Sequence, residues 1–373
     1  VIKYLSQFAD LHVACLADEP LHPQARETLR HYCKRVGVVP IEAATRRIRT
    51  GLSLFRGRTA TEGVFSEPTL SSLLDAWARE TRFHSVLIST SGLARYLETP
   101  GLRGLRAVVD MVDVDSEKWF DYARASRAPK SWLYRLEGSR LRRLEGEIAG
   151  WAQGVTLVSE AEARLFRSVV RNDRPIHAVT NGVDLEYFRP VPDAVSRPDT
   201  CVFVGALDYK PNIDGISWFC REVWPGVSDA LPGARLSVVG RRPVPPVRRL
   251  ANIPGVAVLG QVPDVRPFLA EARLVIVPLR MARGIQNKVL EAMAMGKAVI
   301  ASPEAIDGLG ADPTSDLVCA RTAEEWVASV RSILVDADRR RRVMESARGF
   351  AVARHQWNST LSPLLDVLRI GRN

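Results

Sequence analysis

The sequence predicts an α/β chain of two doubly wound, Rossmann-like domains facing across a cleft, and three observations carry that expectation. Short β-branched runs alternate with helical patterns throughout, the way helix-layered parallel sheets read in sequence. The runs form two series, within 11–180 and 200–302, separated by a proline-rich break. At 373 residues the chain exceeds one ordinary core and suits two domains of ~150–200 residues each.

Taken in order, Val1–Ala9 (VIKYLSQFA) sets Ile2, Leu5 and Phe8 on one helical face and reads as the end of an amphipathic helix, so a preceding segment is expected. Strands follow at 11–17, 85–90, 105–112, 154–159 and 176–180, completing a first domain over 1–188. RPVPDAVSRPD at 189–199 holds three prolines, which oppose both helix and sheet pairing, and is the expected linker. Strands at 200–205, 234–240, 255–260, 273–279 and 297–302 build a second domain over 200–354. In the final segment, 355–373, Trp357, Leu361, Leu364, Leu365 and Leu368 share helical spacing, and this helix is expected to cross back to the first domain.

Composition narrows the function. With 46% hydrophobic and 25% charged residues the chain reads as globular, and no apolar run approaches the ~18 residues of a spanning helix. Five cysteines, scattered and never in a CxxC pair, fit a reduced, cytoplasmic setting without a zinc site. A formal charge of +10 calls for an anionic partner. Two stretches concentrate it: nine basic against two acidic residues over Arg26–Arg58, and seven against one over Tyr122–Arg143.

In doubly wound sheets ligands bind beyond the carboxyl ends of the strands, so the loops there hold the candidates. After the 273–279 strand, Gly284 permits a tight loop, and the N–H groups of Ile285, Gln286 and Asn287 at the following helix start suit phosphate oxygens. Glu291 lies on the same face as Asn287 and Lys288 and can accept from two ribose hydroxyls; equally, Lys288 and Glu291 read as a surface ion pair. After Gly205, the loop presents Lys210 beside a helix for which Asn212 is the expected N-cap. Gly240 with Arg241, and Gly260 with Gln261, Val262 and Pro263, end two further strands, and all four loops should open on one edge. In the first domain Asp110, Asp113 and Asp115 end a strand; with no histidine near, no metal is expected, and Asp113 is the candidate for sugar or acceptor hydroxyls. GxSxG, HExxH, Walker and GxGxxG patterns do not occur.

These stretches resemble the family 4 glycosyltransferases, retaining enzymes of the GT-B architecture, and more closely the sugar transferases of PEP-CTERM/exosortase exopolysaccharide systems. The resemblance runs over nearly the whole chain, through DMVDVDSEKW (110–119), LVSEAE (157–162), NGVDLEYFRP (181–190), VFVGALDYKPNIDGISW (202–218), VPDVRPF (262–268) and ARGIQNKVLEAMAMG (282–296). It implies that Glu291 holds the donor ribose, that Lys210 and the Gly284–Asn287 loop hold the diphosphate, and that the backbone near Val262 and Pro263 meets the base. The family often has a second glutamate eight positions before the first; Arg283 stands there and suggests a further phosphate or sugar contact. Where the family often has arginine after the glycine matching Gly205, this chain has Ala206. Family members also begin with a strand and glycine-rich loop that this sequence lacks.

The expected activity is transfer of a sugar from a UDP- or GDP-linked donor to a glycan or polyprenyl-linked acceptor in exopolysaccharide biosynthesis, with retention. Lys210, Arg283 and helix N-termini would stabilise the departing diphosphate, with no cofactor and no metal. The rivals are a nucleotide-sugar epimerase on the same fold, disfavoured by the lack of a histidine motif, and a nucleic-acid-binding protein, disfavoured because aromatics do not interleave with the basic clusters, so no nucleic acid is expected as a partner. Ala44–Arg58 combines five arginines, Arg46, Arg47 and Arg49 among them, with Ile48, Leu52, Leu54 and Phe55, and makes the anionic inner-membrane surface a candidate partner, as does Lys130–Arg143 with Trp132 and Leu133.

Overall fold

The computed structural model describes residues 1–20, 23–170, 174–191 and 197–371, and divides into two compact units: Val1–Thr180 with Leu361–Asn373, and Asn181–Thr360. The division falls at Thr180, eight residues before the expected 189–199 linker, of which 192–196 lie outside the described residues.

The first unit opens with a short helix, Ile2–Leu5, whose Tyr4 and Leu5 are buried. Strands β1 (His12–Ala17) and β2 (Arg35–Pro40) pair in parallel. β3 (Ser85–Ser89), β4 (Arg106–Val112), β5 (Gly154–Leu157) and β6 (Ile176–Ala178) form a second parallel sheet in chain order. Val39 of β2 and Ile88 of β3 share one apolar cluster with Leu70 and Tyr96, so the two sheets pack on a common core. β2 was not expected from sequence, because RVGVVP follows a charged helix, ends in a proline and lacks a clean alternation.

The Lys130–Trp151 helix covers this sheet with Leu141, Leu144 and Ile148, all essentially buried. Its inner face also carries two carboxylates. Glu137 accepts from the amides of Ala60 and Thr61, at 2.8 and 3.0 Å, and so holds the start of the Ala60–Phe65 helix. Glu145 accepts from the Ser116 amide and hydroxyl, at 2.8 and 2.6 Å, at the start of the Asp115–Arg124 helix. Backbone donors orphaned at helix starts are thus satisfied from another element.

The second unit is one parallel sheet of β7 (Thr200–Val204), β8 (Arg235–Val239), β9 (Val256–Gly260), β10 (Leu274–Val277), β11 (Ala298–Ala301) and β12 (Val318–Cys319). Their spatial order is β12-β11-β10-β7-β8-β9. Leu236, Val238, Ile276, Val299 and Ile300 are fully buried, as near-continuous apolar strands covered on both faces must be. The expected single C-terminal helix is two, Trp357–Thr360 and Ser362–Leu368, with Leu361 between them. Pro363 explains the break: it stands at the first positions of the second helix, where a missing N–H costs nothing.

Candidate functional site

Chain order reverses between β7 and β10: β8 and β9 extend the sheet on one side, β11 and β12 on the other. Such a switch point leaves a crevice beyond the carboxyl ends, because the connections on either side run in opposite directions. The loops after β7 and β10 flank it.

Two glycines shape the first loop. A Cβ on Gly240 would lie 1.7 Å from the Gly205 carbonyl oxygen, so the chain leaving β8 crosses the chain leaving β7 at a distance only glycine allows. The Leu207 amide then donates to the Arg241 carbonyl at 2.9 Å, leaving the Arg241 side chain exposed. Lys210 is the first residue of the Lys210–Trp218 helix and Tyr209 its N-cap. Asn212, the expected N-cap, is instead buried one turn in, where its amide donates to the Ala206 carbonyl at 2.9 Å and fixes the loop. A cap must precede the helix, and Pro211 tolerates the first turn, so the helix starts three residues earlier than expected.

The second loop turns at Gly284, whose φ of 63° lies in the left-handed region. The Gln286 side-chain amide donates to the Arg283 carbonyl at 3.0 Å, and Gln286 caps the Asn287–Ala294 helix. Ile285 is buried, Arg283 half-buried and Asn287 exposed. The first-turn amides of Asn287 and Lys288 have no carbonyl four residues back within the helix to donate to. Asn181 closes the far side, its amide donating to Asn287 Oδ1 at 2.9 Å, and its own carbonyl lies 2.8 Å from Nδ1 of buried His355.

Lys288 ties the two loops together. Its ammonium donates to Asn212 Oδ1, sits 5.0 Å from the Phe203 ring centroid, and would lie 3.0 Å from a Cβ on Gly205. Burial depresses its pKa to about 8, against a smaller opposing pull from Glu291. Glu291 is half-buried on the same helix, and burial pushes its carboxyl up while Lys288 draws it down. The pair is therefore not the surface ion pair that sequence allowed: Lys288 turns inward to Asn212. Val262 and Pro263 follow β9, two strands from β7 and so about 10 Å along the same edge.

In the first unit Asp113 follows β4 directly. Val112 before it has φ 66°, a costly conformation for a β-branched residue, of the kind that marks places where a side chain is deliberately re-aimed. Asp110 and Asp115 are held within this unit. Asp110 accepts from Thr156 Oγ1 at 2.9 Å with its pKa raised by burial, and Asp115 accepts from Ser91 Oγ. Asn181 and His355 were not singled out from sequence, and Asn212 only as a cap, because Asn181 meets Asn287 and His355, and Asn212 meets Lys288, across long separations in the chain.

Comparison with known proteins gives this geometry a setting. Residues 198–336 match the model of the family described as Glycosyl transferases group 1. A crystal structure of Anabaena Alr3699/HepE in complex with UDP aligns at TM-score 0.69 and 14% identity, covering 99% of this chain and 94% of that one. Its UDP-glucose complex gives 0.69 and 14%, over 95% and 98%. Sucrose-phosphate synthase from Thermosynechococcus elongatus aligns at 0.65 and 17%, over 81% and 77%. No curated protein sequence matches. The fold is GT-B, two Rossmann-like domains, and with a group 1 transferase domain the chain is a glycosyltransferase.

Proposed function

We propose that this glycosyltransferase takes a sugar from a UDP- or GDP-linked donor held at the β7/β10 switch point and delivers it, with retention, to a glycan or polyprenyl-linked acceptor in exopolysaccharide biosynthesis. The observation that carries the reading is the junction of Gly205, Asn212 and Lys288 beside the Asn287–Ala294 helix start, which brings a buried ammonium and first-turn amides together at the switch point. The UDP bound by Anabaena Alr3699/HepE favours uridine as the first base to test.

In this reading Glu291 accepts from the ribose hydroxyls, and the backbone at Val262 and Pro263 meets the base. Gly205 and Gly240 let the two loops cross closely and Gly284 lets the third turn, so that the loop backbones can approach the diphosphate, with Arg241 at the rim. Ile285, Gln286, Asn287, Lys210, Lys288 and Arg283 surround the phosphates. As the glycosidic bond to the donor breaks, charge accumulates on the leaving diphosphate, and fixed donors already aimed there stabilise that state more than the ground state. Asp113 meets acceptor or sugar hydroxyls. The protein works at the cytoplasmic face of the membrane as a peripheral protein; among the described residues no helix is long and apolar enough to cross it.

The test pairs radiolabelled UDP- and GDP-sugars with a prenyl-linked glycan acceptor and measures nucleotide affinity by calorimetry. Transfer is expected from one donor class, and Glu291→Gln should weaken the cognate nucleotide by about 10–100-fold through loss of charge-assisted hydrogen bonds. Isomerised donor without transfer would make the protein an epimerase. Unchanged affinity in a folded Glu291→Gln variant would take Glu291 out of the site.

A further inference from the structure

The first unit contains a cavity of about 570 Å³ that no part of the donor site uses. Arg49, Leu52 and Ser53 of the Ala43–Phe55 helix line it together with Arg56, the C-cap residue of that helix, at the i, i+3, i+4, i+7 spacing of a single stripe. The opposite wall is the Ser91–Glu98 turn with Thr99 and Pro100. The helix follows the carboxyl end of β2 and the turn follows that of β3, the edge where such sheets bind ligands.

The charges on the wall do not cancel locally. Its acidic groups are engaged: Glu67 pairs with Arg49 at 2.7 Å, and Glu62 and Glu98 each pair with Arg95 at 2.8 Å. Arg95 reaches a third carboxylate, Glu147, at 2.6 Å. Arg56 and Arg58 remain exposed at the mouth, and among the described residues neither has a carboxylate partner. Arg49 is more telling, since its Nε and Nη2 are buried without a hydrogen-bond partner. Orphaned donors on a buried guanidinium are costly, and beside a cavity they call for an anion that a small side-chain shift would bring into reach.

Apolar surface adjoins the charged mouth. Ile48, Leu52 and Phe55, a neighbouring stripe on the same helix, are 65%, 48% and 90% exposed, and Leu52 belongs to both stripes. A free phosphate or a soluble sugar would use the arginines and leave this stripe bare. An amphiphile would use both.

We infer that this cavity holds the diphosphate of a lipid-linked acceptor, with Arg49, Arg56 and Arg58 on the phosphates and the first isoprene units along Ile48, Leu52 and Phe55. The inference rests on the glycosyltransferase reading above and names its acceptor class. It is tested on the full chain saturated with UDP, so that the donor site cannot take up the probe, by calorimetry with geranylgeranyl diphosphate, inorganic pyrophosphate and geranylgeraniol. The prenyl diphosphate should bind, pyrophosphate more weakly, and the alcohol least. Arg56→Ser with Arg58→Ser should weaken the prenyl diphosphate at least tenfold and leave UDP affinity unchanged, while Phe55→Ser should weaken the prenyl diphosphate but not pyrophosphate. Unchanged prenyl diphosphate affinity in the double arginine variant would overturn the inference. So would equal affinities for pyrophosphate and the prenyl diphosphate, or no binding of the latter to a protein that binds UDP. Failure to bind UDP or GDP at all would instead sink the underlying functional reading.

Discussion

At the scale of the residue, Lys288 turns a packing arrangement into a chemical property. Its ammonium is largely withdrawn from water against Phe203 and Asn212, and burial depresses its pKa to about 8. A diphosphate beside it favours the charged form, so binding draws on the protonated lysine and weakens as that form is lost. UDP affinity is therefore expected to fall as pH rises from 7 through about 8 toward 9, below the range in which the uracil ring itself loses a proton, whereas uridine, lacking phosphate, should show no such fall. Calorimetry of both across that range checks it, and Lys288→Met should flatten the UDP profile; a wild-type profile that is flat would remove Lys288 from the phosphates. Sequence picked out Lys288 because it shares a helix face with Glu291, three residues on. Its partner Asn212 is 76 positions away, and nothing local links the two.

At the scale of the element, the Lys130–Trp151 helix differs most from its sequence. Its charge run reads as a solvated basic face, yet it buries Glu137 and Glu145 to hold two other helix starts. Desolvation raises the Glu145 carboxyl from 4.5 to about 7, its bonds to Ser116 only partly opposing that. The folded pKa exceeds the unfolded one, so the proton is held more tightly in the folded state. The associated stability is complete below pH 4.5 and is lost as pH rises through about 7. Wild type should lose about 1–3 kcal/mol more than Glu145→Gln between pH 5 and 8, from the stated shift at 1.36 kcal/mol per unit. Urea unfolding followed by a first-unit probe at several pH values measures the difference, and parallel curves for the two proteins would show that Glu145 does not carry it.

At the scale of the whole molecule, the excess charge of +10 meets a surface fit to use it. Ile48 and Phe55 on the Ala43–Phe55 helix, and Trp132 and Leu133 at the start of the Lys130–Trp151 helix, are all at least 64% exposed, with Arg46, Arg47, Lys130 and Arg135 nearby in sequence. Arg49 does not belong to that set, because it turns inward to Glu67. The full-length protein is expected to co-sediment with phosphatidylglycerol vesicles at low salt and not with phosphatidylcholine. Replacing Arg46, Arg47, Lys130 and Arg135 with serine should release it, each basic residue contributing about 1 kcal/mol near an anionic surface. Equal sedimentation with both lipids would rule out a charge-driven contact.

Sequence by itself determined the two parallel-sheet domains and which loops end at the second sheet's carboxyl edge. Strand periodicity and glycine or proline punctuation are properties of neighbours along the chain, so Gly205, Gly240, Gly284 and Glu291 could be chosen from it. Tertiary structure alone decided the crossing of Gly205 and Gly240, the inward turn of Lys288, the burial of Glu145, and which arginines of the Ala43–Phe55 helix face a cavity rather than solvent. The reason is physical: conformation is set over a few residues, whereas burial and pairing depend on which distant segment packs against them, and that packing sets the charge state of every buried side chain.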